Sequence, residues 1–174
     1  MKQAINPTDR EIFMDENDFI VSKTDLKGRI TYANRIFMRI AGYSESELLG
    51  VQHNIIRHPD MPRGVFRLLW QVIESGEECF AYVKNMAKNG DFYWVYANVT
   101  VDYDSNLNPV GYFSVRRKAN REGVETISQI YRDMLEIERQ AGVRDAPDAS
   151  LNWLMEQLKS SSTNYQEFIH TLGH

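Results

Sequence analysis

Cysteine is almost missing from this chain: Cys79 stands alone among 174 residues. An internal disulfide and any multi-cysteine metal or iron–sulfur site are therefore excluded, and a cytoplasmic setting is expected. Long hydrophobic runs are absent too. No apolar stretch approaches the roughly 18 residues that a membrane span needs, and the N-terminus, MKQAINPTDREIF, lacks the apolar core of a signal peptide. Any role at a membrane would then go through a partner. Positive charge is sparse, with a formal net charge of −4, a pI of about 5.6 and no basic run longer than Arg116-Arg117-Lys118. That leaves no broad phosphate-binding footprint and argues against nucleic acid as a partner. The 56 residues from 119 to 174 contain no histidine-kinase box, cyclase motif or phosphate-binding Gly loop, so direct enzymatic output is not expected. Internal repeats and low-complexity tracts are also missing.

What is present is aromatic and apolar residues in patterned segments. The chain is 43% hydrophobic with 8 Phe, 9 Tyr and 3 Trp, enough for one packed core and a helical appendage. Residues 1–19 are polar with scattered apolar positions and suit a short helical or irregular cap. From Phe19 a strand (FIVSKTD), the turn Asp25 to Gly28 and a second strand (RITYAN) form a hairpin. Asn34 can cap the run IFMRIAGY, which Gly42 ends, and Ser44 with Glu47 fits a capping box for a second short helix. His53 to Pro62 is a proline-bounded connector, and the apolar spacing of Arg63 to Ser75 predicts a longer helix closed by Gly76.

Three β-rich runs follow: CFAYVKNMA, DFYWVYANVTVDY and VGYFSVRRK, separated by turns at Lys88-Asn89-Gly90 and at Asp104 to Pro109. The order ββ, short helices, longer helix, βββ predicts an α+β fold, a five-stranded antiparallel sheet with short helices on one face and C-terminal helices appended. The expected division is an N-terminal cap over 1–19, a domain over 20–118 and a helical extension over 119–174. Within the extension, Ile127, Ile130, Met134, Ile137 and Ala141 give residues 121–141 a coiled-coil-like apolar stripe, which GVRDAPD breaks before two shorter amphipathic stretches.

The string TDLKGRITYANRIFMRIAGYSESELLG resembles the general PAS pattern, and HNIIRHPDMPRGVFRLLW with VKNMAKNGDFYWVYANV resembles, more narrowly, the PAS input domain of bacterial aerotaxis receptors that hold FAD. The resemblance implies a cofactor pocket between the concave sheet face and the helices, with Arg57, His58 and Asp60 supporting the cofactor. Arg57 suits a pyrophosphate because its guanidinium is permanently charged and can bind two oxygens at once. An ion pair between Arg57 and Asp60 that stiffens the loop is the alternative. Asn85 matches an Asn that hydrogen-bonds the flavin edge in light-sensing PAS (LOV) domains, and strand alternation puts it on one face with Cys79, Ala81 and Val83. Trp70 could wall the pocket or serve as core, and Asn34 could be a helix cap or a cofactor ligand.

The light-sensing chemistry is not expected, since the connector has no cysteine and Val95 stands where that family has a second Asn. Two histidines, His53 and His58, keep a haem-binding gas sensor open, and a cofactor-free PAS dimerisation module is the third reading. If Asn85, Val95 and Ala97 face the pocket, then Phe80, Tyr82, Trp94, Tyr96, Phe113 and Val115 crowd the opposite sheet face. The N-terminal flank, the 121–141 helix or a second subunit in a homodimer must then cover them. Aerotaxis receptors continue into membrane and signalling segments, so the chain would be either a truncated input domain or a free-standing sensor acting on a downstream partner.

Overall fold

The structure is a computed structural model, and it describes residues 4–172. Five strands form a single antiparallel sheet in the order β2-β1-β5-β4-β3: β1 Ile20–Asp25, β2 Ile30–Ala33, β3 Cys79–Met86, β4 Phe92–Tyr103 and β5 Pro109–Lys118. The α+β architecture expected from the sequence is the one observed. The β1–β2 turn closes because the Asp25 carboxylate accepts from the Lys27 and Arg29 amides, an Asx-type turn.

Helices α1 (Arg35–Ala41), α2 (Glu45–Leu48) and α3 (Arg63–Glu74), with a 3-10 turn at His53–Ile56, cross the concave face. Asn34 caps α1 by accepting from the Phe37 amide, and Gly42 ends it at φ 73°, a left-handed conformation that suits glycine. The capping box of Ser44 and Glu47 forms as read from the sequence. Phe37, Ile40, Leu48, Ile56 and Val65 then bury their side chains against Ile20, Ala81, Val95 and Ala97 of the sheet.

Residues 4–18 make no helix. They run beside the start of β4, where Arg10 and Ile12 exchange main-chain bonds with Phe92 and the Thr8 amide bonds the Gly90 carbonyl. This irregular segment fills the position next to β4 beyond the end of β5, whose Lys118 pairs with Val95.

The extension forms α4 (Arg121–Ser160) and α5 (Tyr165–Leu172). Gly142, at φ 79° and ψ 166°, breaks α4 into arms over 121–141 and 143–160, at the place where the sequence pattern stops. The first arm and α5 cover the β3–β4 half of the convex face. Tyr131 stacks on Trp94 with centroids 6.3 Å apart and donates to the Tyr82 carbonyl at 2.7 Å. Tyr165 donates to the Phe80 carbonyl, and the Tyr82 hydroxyl to the Leu172 carbonyl. Phe113 and Val115, on the β5 side, stay half-buried.

The buried stripe of the first arm is Val124, Ile127, Tyr131, Met134 and Glu138, rotated from the stripe read off the sequence. Ile130 and Ile137 are only partly covered. Tyr131 and Glu138 take central places because their polar atoms find partners inside, which hydrophobicity alone does not register.

Candidate cofactor pocket

Between α3, the 53–57 turn and the concave sheet face lies a cavity of about 270 Å³. Alternation along β3, β4 and β5 aims Val83, Asn85, Ala97, Val99, Ser114 and Arg116 into it. Phe66, Leu69, Trp70 and Ile73 supply the wall from α3. Two of the lining residues are arginines, Arg57 and Arg116, and none is acidic.

Arg116 is the most unusual of these residues. It is 2% exposed, donates from Nη2 to the Ser22 hydroxyl at 2.5 Å, and lies 4.7 Å over the Phe37 ring. Its Nε and Nη1 have no partner among the described residues. Burial draws its pKa down to about 10, so it remains a cation at neutral pH. A buried cation without a counter-ion is costly, by several kcal/mol on the order of the usual desolvation penalty. An anion would offset that cost.

Ser22 links Arg116 to His53, whose Nε2 lies 3.0 Å from the same hydroxyl. With Arg116 donating to Ser22, the hydroxyl proton goes to Nε2, leaving a neutral imidazole protonated at Nδ1. Burial and then the Arg116 charge push the His53 pKa down to about 3, which agrees with that tautomer.

A main-chain bridge between Arg57 and Asn85 brings these two expected residues together. Asn85 is 3% exposed, and its amide has no hydrogen-bond partner among the described residues. The Arg57 guanidinium lies flat over Phe66 at 3.6 Å, with a buried, unpartnered Nε. Trp70 meets Tyr112 edge-on, with centroids 5.1 Å apart, and is 37% exposed, so it stands at the mouth. Arg57, Phe66 and Trp70 also border an adjoining groove of about 360 Å³ that continues to Arg63, Arg67 and Pro147.

Three expected site residues lie elsewhere. Asp60 points away from the cavity and bonds Lys84 Nζ at 2.7 Å. Burial works against its charge, but the Lys84 hydrogen bond and charge outweigh this and hold the carboxyl below its ordinary range. The alternative Arg57–Asp60 pair does not form either, since Lys84 takes the carboxylate and Phe66 takes the guanidinium. His58 is buried behind the connector, where Nδ1 accepts from the Asp60 amide at 3.0 Å. Burial and then Lys84 lower its pKa, so it is a neutral loop brace. Asn34 is spent on the backbone: its Oδ1 accepts from Phe37 and Val21, and its Nδ2 donates to Phe19.

The sequence reading missed Arg116, Ser22 and the contact between Ser22 and His53. A signal existed for Arg116, because alternation from Phe113 and Val115 outward puts it inward, but it stands in a charge triplet that reads as surface. Cys79 is buried, and burial alone raises its thiol pKa to about 12, so it is an unreactive packing residue.

A model of the PAS fold matches residues 30–116, which takes in the cavity lining apart from Ser22, Thr24 and Gly28. The chain belongs to the PAS family. This PAS chain is 40% identical over 114 residues to the aerotaxis receptor of Escherichia coli (strain K12), a match covering 65% of the chain and 22% of that receptor. It is 30% identical over 98 residues to a nitrogen fixation regulatory protein of Klebsiella pneumoniae, covering 56% of the chain and 19% of the relative. The PAS chain thus spans about a fifth of the length of these curated relatives. Among solved structures, a light-oxygen-voltage domain studied with a flavin analogue superposes with a TM-score of 0.56 at 22% identity, covering 66% of this chain and 86% of that one. The dark structure of the Aureochrome1 LOV domain gives 0.52 at 25% identity, covering 69% and 85%. No described helix is long and apolar enough to cross a membrane, and no described group of His, Cys, Asp and Glu could hold a metal ion.

Proposed function

We propose that this PAS domain is a redox sensor, not an enzyme, that holds noncovalent FAD in the cavity beneath α3 and signals by conformational change to a partner in the cytoplasm. The observation that carries this reading is the cationic, carboxylate-free cavity, into which Arg116 aims buried nitrogens without partners and which Asn85 lines with its amide. Their donor set fits a flavin: an amide for a ring edge, and guanidinium groups for negative charge. The likeness to an aerotaxis receptor and to light-oxygen-voltage domains supports the same class. Haem is less well served. His53 alone of the two candidate histidines lines the cavity, and its Nε2 is already bonded to Ser22.

Bound flavin would supply a ring that takes up electrons with or without protons. In the cavity, Asn85 would orient the ring edge and Arg116 would favour negative charge developing on it. Arg57, at the junction with the adjoining groove, would hold phosphate oxygens, and the groove beyond it leaves room for the adenosine half of a dinucleotide. Trp70 and Tyr112 would limit water at the mouth. The half-buried strip of Val21, Phe113 and Val115 is the surface left for a second copy in a homodimer.

Chromophore released by acid from the purified protein and chromatographed against FAD and FMN standards tests the assignment. FAD is expected. Haem, or an apoprotein that binds neither flavin, would overturn it.

A further inference from the structure

Helix α3 has no side-chain cap of its own, because its N-cap residue is Pro62. The Gly64 amide, one of the donors a helix start leaves open, instead gives its proton to Glu138 Oε1 of the α4 first arm at 3.0 Å. The same oxygen accepts from the Ser150 hydroxyl of the second arm at 2.6 Å. One buried carboxylate oxygen thus ties three helical segments together across 74 and 12 residues of sequence.

The approach is close enough to require glycine. A Cβ at position 64 would fall on the Ser150 hydroxyl and within 2.8 Å of the Leu151 amide. Arg63 donates to the Val143 carbonyl at 2.6 Å, beside the Gly142 kink, and Arg67 meets Asp148 at 3.2 Å. The first turn of α3 is therefore clamped between both arms of the extension. The opposite side of the same helix carries Phe66 and Trp70 into the cavity, with Arg57 stacked on Phe66.

Resting on the flavin reading above, we propose that the contact of Glu138 with Gly64 and Ser150 is a latch that transmits the state of the cavity through α3 to the two arms of α4. A ligand that moves Phe66 or Trp70, directly or through Arg57 stacked on Phe66, moves α3 as a unit, because a helix is stiff over 12 residues. Its first turn cannot shift without breaking the bonds at Glu138 or forcing the arms apart. A passive brace would make the same contacts without responding to the cavity.

Hydrogen exchange of residues 134–151, with and without FAD, separates these. Loading the wild-type chain should slow exchange there by about fivefold or more, a typical size for coupling between sites. Glu138→Gln keeps an acceptor oxygen in place and should retain the response. Glu138→Ala removes the acceptor, and Gly64→Ala displaces the arms while improving helix propensity in α3. Both should reduce the response to about twofold or less and, by linkage, weaken FAD binding by a similar factor.

Exchange across 92–103 reports that each variant stays folded. Should the wild-type chain bind no flavin, the proposed cofactor falls, and the latch is then tested without ligand. Phe66→Ala should change exchange at 134–151 in the wild-type background but not alongside Glu138→Ala. A wild-type chain whose 134–151 exchange ignores FAD, or a response that persists in both Glu138→Ala and Gly64→Ala, would show the contact to be a brace.

Discussion

The cavity's character rests on single side chains. Arg116 is held where its charge has no internal partner, so its energetic cost to the ligand-free chain becomes affinity for negative charge when a ligand arrives. Hydrogen bonds to charged groups contribute roughly 1.5–3 kcal/mol, and a two-electron couple moves about 30 mV per 1.4 kcal/mol. Arg116→Met, reloaded with excess FAD, should therefore lower the midpoint potential of bound flavin by about 30–60 mV in a spectroelectrochemical titration. An unchanged potential would remove Arg116 from the ring's surroundings.

His53 sets the acid response. Its folded pKa of about 3 lies below the ordinary 6.5, so between these values the unfolded chain binds a proton that the folded chain refuses. Stability accordingly falls as pH drops through that window, by at most about 1.4 kcal/mol per unit. In the ligand-free protein, His53→Gln should flatten the change in urea midpoint between pH 6.5 and pH 4. A wild-type slope in that variant would assign the acid sensitivity to other groups.

At the scale of elements, the strands and short helices were legible because their signals are local. Asp25 closes a turn within its own loop, Asn34 and Ser44 cap helices a few residues away, and Gly142 breaks α4 where the apolar pattern stops. Arg57, Asn85 and Trp70, named from motif, strand alternation and helix position, all line the cavity. His58 and Asp60 were not separable from Arg57, because whether a connector side chain faces the cavity or Lys84 is decided by tertiary packing. The buried Glu138 was invisible for the same reason: its partners lie in Gly64 and Ser150, far off in sequence.

The docking of α4 on the sheet depends on the bond from Tyr131 to the Tyr82 carbonyl. Removing that hydroxyl strands a buried carbonyl, so Tyr131→Phe should cost about 1–2 kcal/mol and lower the thermal midpoint by roughly 2–4 °C per kcal/mol. A thermal scan with an unshifted midpoint would mean that stacking on Trp94 alone seats the helix.

For the whole molecule, the extension is part of the fold. It buries Tyr82 and Tyr96 on the convex face and ties α3 to both arms of α4. A chain ending at residue 118 should uncover Phe80, Tyr82, Trp94 and Tyr96 together, a patch beyond what soluble monomers usually leave exposed. Light scattering should then show association beyond that of the full chain at equal concentration. A monodisperse, monomeric truncation would show that the sheet tolerates exposure of this face.

The central claim is that the cavity is a cationic receptacle for a flavin nucleotide. Its most direct test is the flavin content of purified wild-type protein beside Arg116→Met, with folding checked by circular dichroism. The account predicts about one FAD per wild-type chain, as a single pocket implies, and a clear loss of flavin from a folded Arg116→Met. Equal flavin in both proteins, or none in either, would contradict it.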